Sequence, residues 1–451
     1  MSDKEYISQL QEQNALQAQQ IKQLEIKVLF LLEQIQKLGI KKDSHNSSLP
    51  PSSDIIPVVK NSRTPSIRKS GGQPGHRGHT LSIKENPDKI TDLKSLFCNN
   101  CGQSLSQAPH LLKSKRQVVE IPPIQPIYEE YRQYSCECPR CKHEQIADFP
   151  LGINAPIQYG SSVQTLISYF SVYQYVPFKR LQNLFSQVFY VPLSEGSIGN
   201  ILERSAQKCD GIYQIIKQQI ADSAVVGADE TGAKVNGTKW WLWAWQNVLN
   251  TFIVASYNRG FQTIESIWKD KLANVTLVSD RWAAQLKANV RNHQLCLAHL
   301  LRELIFLVES EQHTFANQFK GLITTIFDVR KTLSVPYSIN SAKAVELESL
   351  LNQLLLIPID KEKSPKTAIF QTSIVKYRNY ILPCLYNLDI PPDNNGSERA
   401  IRNVKVKQKV SGQFKTGQHA FCTIRSVIDT LLKRKLPLLP FLNQIINLQP
   451  V

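Results

Sequence analysis

The sequence predicts an α/β protein in which one small sheet sits among many helices, and three observations carry that prediction. Between Ala224 and Asp280, four β-type runs and one helical run follow in the order strand, strand, strand, helix, strand. Helical spacing of apolar residues fills the stretches on either side of this run. A seven-residue period runs through the first 40 residues, with an unbroken apolar seam from Ile21 to Leu38. With 451 residues the chain exceeds one core, and about two to four domains are expected.

At the amino end, Ile7, Leu10, Asn14, Gln17, Ile21, Leu24, Val28, Leu31, Ile35 and Leu38 share one seam, with no Pro or Gly before Gly39. Residues 1–40 therefore read as a coiled coil that makes a homo-oligomer, the alternative being an amphipathic helix packed on its own domain. Gln17 at a core position weakens the first half of the seam. Residues 41–90 turn to Ser, Pro, Gly and basic residues, including Asn46-Ser-Ser-Leu-Pro-Pro-Ser-Ser-Asp54 and Gly71-Gly-Gln-Pro-Gly-His-Arg-Gly-His79. Such a stretch cannot bury a core and reads as an extended basic linker, either tracking a DNA backbone or simply solvated.

Five of the nine cysteines fall between Cys98 and Cys141, a clustering unlike a secreted disulfide framework. Cys98-Asn-Asn-Cys101 and Cys138-Pro-Arg-Cys141 form two Cys-x-x-Cys knuckles, which predicts a structural Zn²⁺ in a module spanning residues 91–150. Cys136 competes with Cys138 as a ligand, and Gln117 to Tyr134 reads as strand-like between the knuckles. Residues 151–220 carry two helical patterns, Val163 to Tyr175 and Lys179 to Phe189, and a third helix for which Ser194 is a good N-cap. These fit either a helix-turn-helix or an all-helical packing module.

The predicted catalytic core spans residues 221–285 and 388–451, around a helical insertion at 286–387. Asn236-Gly237 joins its first two strands as a hairpin. Asp229 lies inside the first strand and Asp280 ends the fourth. Because side chains alternate faces along a strand, Asp229 and Glu230 cannot serve one site; Asp229 is the candidate, and Glu230→Gln is expected to be mild. Past Asp280 the sheet is expected not to close promptly, and Cys296-x-x-His299 reads as a helix-packing pair, the alternative being half of a metal site for which no second pair is present. A third acid, Glu398, lies in Pro391-Pro-Asp-Asn-Asn-Gly-Ser-Glu-Arg-Ala-Ile-Arg402. A capping box with Asn395, or an ion pair with Arg402, would explain it without catalysis. Lys405, Lys407, Lys409 and Lys415 nevertheless follow before the next acid, Asp429, and a carboxylate in such surroundings suits a divalent ion held against phosphates.

A net charge of +16 and a pI near 9.3 point to a polyanionic partner, most simply nucleic acid. No apolar run reaches the roughly 18 to 20 residues of a membrane span, and the opening residues lack a signal-peptide pattern, so a cytoplasmic location is expected.

Taken together, the segment from Ala224 to Asp280 resembles the ribonuclease-H-like nucleases and transposases. Nearly the whole chain resembles the DDE transposases of the insertion-sequence-66 family. The resemblance rests on the zipper, Asn46-Ser-Ser, Gly71-Gly-Gln-Pro-Gly-His76, the cysteine module, Ala228-Asp-Glu-Thr231, Ser279-Asp280, Cys296-Leu-Ala-His299, Asn394-Asn-Gly-Ser-Glu-Arg-Ala-Ile-Arg402 and Ser411-Gly-Gln-Phe-Lys-Thr-Gly417. It implies a ribonuclease-H-like core with Asp229, Asp280 and Glu398 as catalytic Mg²⁺ ligands, Mn²⁺ substituting, in two-metal DNA cleavage and strand transfer. It also implies terminal inverted repeats and target DNA as partners, accessory transposition proteins, and a nucleoid-associated place in a bacterial cytoplasm. Arg281-Trp282 departs from the small residue and Tyr usual after the second aspartate. The rival functions are a zinc-containing DNA-binding regulator with structural acids, and a nuclease that cuts without joining.

Overall fold

The computed structural model describes residues 13–29, 42, 46–47, 75 and 81–448. The ends of the predicted coiled coil and most of the predicted linker lie outside the described residues. Residues 13–29 form helix α1, whose seam residues Ile21, Leu24 and Val28 are exposed rather than packed on the rest of the chain. In the segment read as linker, Asn46 is buried and donates its Nδ2 to Glu309 Oε2 at 3.0 Å, while Lys42 Nζ lies 5.2 Å from the Phe306 ring.

Strands β1 (Ser135–Glu137) and β2 (Glu144–Ile146) form a two-stranded ladder in the cysteine module. No residue from 81 to 160 is buried, so this module has no apolar core. The strand expected from Gln117 to Tyr134 is absent. Its alternation is β-like, but Pro122, Pro123 and Pro126 remove ladder donors.

Helices α2 (Ser161–Ser168), α3 (Phe178–Val188) and α4 (Glu195–Ala221) follow, α2 continuing into a π-helical turn at Tyr169–Tyr173. Ser194 caps α4 as its sequence suggests, accepting from the Ser197 amide at 2.9 Å. Strands β3 (Val225–Val235), β4 (Thr238–Gln246) and β5 (Thr251–Ser256) form an antiparallel meander. Asn236 and Gly237 have φ of 46° and 77°, the positive pair that a two-residue hairpin matched to strand twist requires. Helix α5 (Phe261–Trp268) leads to β6 (Thr276–Ser279), short helix α6 (Ala283–Leu286) and β7 (Asn292–Leu295). The sheet order is β5-β4-β3-β6-β7, with β6 parallel to β3 and β7 parallel to β6.

The sheet thus closes sooner than its sequence suggests. Strand β7 has only four residues and contains His293 and Gln294, too short and too polar to show a period. Gln294 is fully buried because its side chain is paired: Nε2 donates to Leu295 O and Ile381 O, and Oε1 accepts from the Cys384 amide.

Helices α7 (Leu297–Glu311), α8 (Thr314–Thr332), α9 (Ala342–Leu355), α10 (Pro365–Lys376) and α11 (Pro383–Tyr386) build a separate helical core off the β7 edge. The chain then returns as α12 (Asn395–Ser411), α13 (Gln418–Lys433) and α14 (Leu438–Asn447). Period-two alternation divides the sheet faces. Ala233, Val235, Leu242, Ala244 and Ile253 enter a core shared with α2, α3, α4, α12, α13 and α14. Val226, Ala228, Trp243, Trp245 and Phe252 face the opposite core, with α5 and the carboxyl half of α4. Helices α2 to α4 therefore share cores with the sheet. Along α4, Ile198, Ile201, Leu202 and Ile216 are buried in these cores. Among the described residues no helix is long and apolar enough to cross a membrane.

Candidate active site

The parallel register of β3 and β6 pairs Val225 with Thr276, Val226 with Leu277 and Gly227 with Val278. Continued by two residues, it sets Asp229 beside Asp280 on one face of the sheet, the face against which α12 packs. Helix α12 approaches β3 unusually closely. A Cβ at Gly227 would lie 2.7 Å from each of Asn394 Oδ1, Gln246 Nε2 and Ser397 Oγ, and one at Gly396 would lie 2.5 Å from Gln246 Nε2. Asn394 Nδ2 donates to Ala228 O at 2.6 Å, and Ser397 Oγ donates to Asn394 Oδ1 at 2.6 Å. The Asn394-Asn-Gly-Ser-Glu398 motif is thereby a docking device: its small and hydrogen-bonding residues seat the helix, and Glu398 is carried to the aspartates.

Convergence shows in the electrostatics of Asp229. Its carboxyl is raised well above the usual carboxylate range, first by burial, then by the charges of Glu230 and Asp280, with a further contribution from Glu398. The Glu230 amide donates to Asp229 Oδ1 at 2.9 Å and partly offsets this. Asp280 Oδ1 accepts from the Trp282 amide at 3.1 Å, which turns the chain directly after β6.

Neither local explanation of Glu398 holds. The N-cap of α12 is Asn394, not Asn395, and its side chain is committed to β3. The partner of Glu398 is Arg302 of α7, at 2.9 Å, rather than Arg402. His299 Nδ1 lies 3.5 Å from the same Glu398 oxygen. Among the described residues this nitrogen has no hydrogen-bond partner. The imidazole is lowered by burial and by Arg302, with Glu398 and Asp280 acting in the opposite sense. Cys296 Sγ accepts from the Asn394 amide at 3.2 Å, and ligand atoms of Cys296, His299 and Glu398 all lie within 4.8 Å of one another. The Cys-x-x-His pair is thus more than helix packing. Its two residues sit one turn apart at the start of α7, but nothing in their own segment signals a neighbour about 100 residues on.

Glu230 points to the opposite face, as alternation requires, but it is not a solvated bystander. Its side chain is 1% exposed and accepts from Arg259 Nε at 2.8 Å and Gln285 Nε2 at 2.6 Å. Burial and Asp280 push its carboxyl up to about 7 despite the arginine. The residue faces away from the Asp229 side, as expected, and ties β3 to α6 directly behind the two aspartates. Arg259 lies between Trp241, at 4.6 Å, and Trp282, at 3.9 Å, so the unusual Trp282 closes this wall. Arg281 turns away to Glu303.

In the cysteine module each knuckle is formed separately. The Cys98 and Cys138 amides and carbonyls close turns with Gln103 and Gly102, and with His143 and Lys142. Gly102 and Lys142 take the positive φ such turns need, 76° and 61°. Within each pair the amides and the partner thiol lower the first cysteine, Cys98 or Cys138. The structure does not, however, draw Cys98, Cys101, Cys138 and Cys141 into one cluster within 4.8 Å.

A family model described as Transposase IS66 family matches residues 156–421, more than half of the chain. A second model, of a family of unknown function, matches residues 4–82. No curated protein matches the chain.

Proposed function

The chain belongs to the IS66 family of transposases, and from that premise we propose that Asp229, Asp280 and Glu398 are its catalytic triad for DNA strand cleavage and strand transfer at the ends of its element. One observation carries this reading: the β3–β6 register, continued by two residues, sets Asp229 beside Asp280 on the face where α12 packs, and the charges of Asp280 and Glu398, with that of Glu230, all act on the buried Asp229 carboxyl. The sheet order β5-β4-β3-β6-β7, with the acids on its central strands and on a returning helix, supports a ribonuclease-H-like core.

The donor set suits a divalent cation. The charges of Asp280 and Glu398 both act on the buried Asp229 carboxyl, and among the described residues only Glu398 of the three has an ion-pair partner, although the three carboxylates do not close to within 4.8 Å of one another. Bound there, Mg²⁺ or Mn²⁺ would supply Lewis-acid activation of the attacking oxygen and stabilisation of the leaving one. The chain's own residues do the positioning. Asn394, Gly227 and Gly396 seat α12, Arg302 orients the Glu398 carboxylate, and Glu230 with Gln285 braces the turn that follows Asp280. Structural zinc is proposed for the four cysteines of the two knuckles. The preformed turns and the lack of any buried core between residues 81 and 160 support it, and closing the two knuckles on one ion would supply the missing stability. Self-association through residues 1–40 is proposed from the uncovered seam of α1.

The test is metal-dependent cleavage and joining of labelled element ends by Asp229→Asn, Asp280→Asn and Glu398→Gln. Each is expected to lose orders of magnitude in rate while DNA binding and melting survive. Near wild-type cleavage by Glu398→Gln would move the third ligand elsewhere, and cleavage without joined products would make the enzyme a nuclease.

A further inference from the structure

The segment Ser411-Gly-Gln-Phe-Lys-Thr-Gly417 takes no part in the acid cluster, yet it is pinned to the tip of the β3–β4 hairpin. The Phe414 amide donates to Lys234 O at 2.9 Å, the Asn236 amide donates to Phe414 O at 2.8 Å, and the Gly237 amide donates to Gln413 Oε1 at 2.8 Å. Phe414 is buried against Phe421, so the next residues, Lys415 and Thr416, are turned outward. They form one wall of an open groove of ≈480 Å³ whose other walls include Trp240, Tyr257, His419 and Glu203.

The β4–β5 register pairs Trp241 with Ser256, so the next pair is Trp240 and Tyr257, and their ring centroids are 3.6 Å apart. Trp240 is buried beneath, whereas Tyr257 is 71% exposed and offers an unused ring face; His419 meets Trp240 edge-on at 5.9 Å. Behind the groove, Lys234 and Lys239 stand directly opposite each other in the β3–β4 ladder, both exposed. Their side chains share the sheet face of Trp241, opposite the groove, and Lys239 Nζ lies 4.9 Å from the Trp241 ring.

From these placements we propose that the groove is a binding subsite for an unpaired DNA strand, with a base stacked on Tyr257 and the neighbouring phosphate on Lys415. The inference rests on the DNA-processing function proposed above and adds where the strand goes. Val235 lies six residues beyond Asp229 on β3, about 20 Å at roughly 3.3 Å per residue, so a strand passing the acids would reach the groove a few nucleotides further on. An open groove with a free aromatic face favours single-stranded over duplex DNA, whose bases are already stacked.

The experiment is equilibrium binding of the full chain, without metal, to a thymidine oligomer of about 10 nucleotides and to a duplex of equal length over a range of salt. Tyr257→Ala is expected to weaken single-strand binding by roughly 5- to 150-fold with an unchanged salt slope, and Tyr257→Phe to restore it. Lys415→Ala is expected to weaken binding and to reduce the salt slope by about 0.7. Duplex binding by all three variants should change little. Wild-type single-strand affinity in both alanine variants, or equal losses on both DNAs, would overturn the proposal. Glu398→Gln, measured alongside, separates the two ideas: cleavage that depends on Glu398 with no groove effect removes only the subsite, whereas the groove effect without such cleavage removes the catalytic assignment.

Discussion

Gly227→Ala isolates the contact that seats α12 on the sheet. The added Cβ would meet Asn394 Oδ1, Gln246 Nε2 and Ser397 Oγ at 2.7 Å, where ordinary contact begins at 3.4 Å, so three atoms must each yield 3.4 − 2.7 = 0.7 Å. None of the three is loose. Asn394 is held by Ala228 O, Ser397 by Asn394, and Gln246 by Lys433 Nζ at 2.7 Å. Relief must therefore come from lifting α12 off β3, an overpacking that costs about 1–3 kcal/mol. Glu398 moves with the helix, and a misplacement near 1 Å is worth about 10²-fold in rate. We expect roughly 100-fold slower metal-dependent cleavage with a melting temperature lower by only a few degrees. Gly232→Ala is the control on the same strand: its Cβ would find nothing nearer than Trp241 at 4.0 Å, and it should behave as wild type. Both are read by single-turnover cleavage of labelled ends and thermal melting. Wild-type rate and melting in Gly227→Ala would refute the docking argument.

Glu230→Ala strands Arg259 and Gln285, and because Arg259 is 35% exposed and can rehydrate, a loss of only about 1–3 kcal/mol is expected in denaturant melts; unchanged stability would contradict the bracing role. In the metal-free protein, burial raises Asp229, and Glu230 reaches about 7, so the folded state holds protons that the unfolded chain releases near ~4 to 4.5. Stability should then fall as pH rises through 7, and Mg²⁺, which needs the ionised acids, should raise the melting temperature more at a pH of about 8 than at about 5.5; a flat profile would count against the cluster. Metal analysis of the full chain should find about one zinc, lost in the Cys98→Ser, Cys141→Ser double variant, and a zinc-free folded chain would dismiss the knuckles as a metal site.

Local chemistry was legible in the residues themselves. Asn236-Gly237 dictates its hairpin because both positions need positive φ, and Ser194 announces α4 because a hydroxyl there satisfies an orphan amide. Alternation alone assigns Asp229 and Glu230 to opposite faces. What the sequence could not settle are relations between segments far apart along the chain. β7 escapes notice because four residues carry no period, and it is a strand only because β6 offers an edge and the insertion satisfies Gln294. The Asn394 to Glu398 motif looks like a capping box until β3 claims the Asn394 side chain and Arg302, 96 residues away, claims Glu398. Cys296 and His299 reach the acid cluster for the same reason, since α7 and α12 meet only after the whole insertion has folded between them. Propensity, capping and alternation act within a few residues and can be read in order; which carboxylate is buried beside which is decided by tertiary packing, because desolvation and charge act through space.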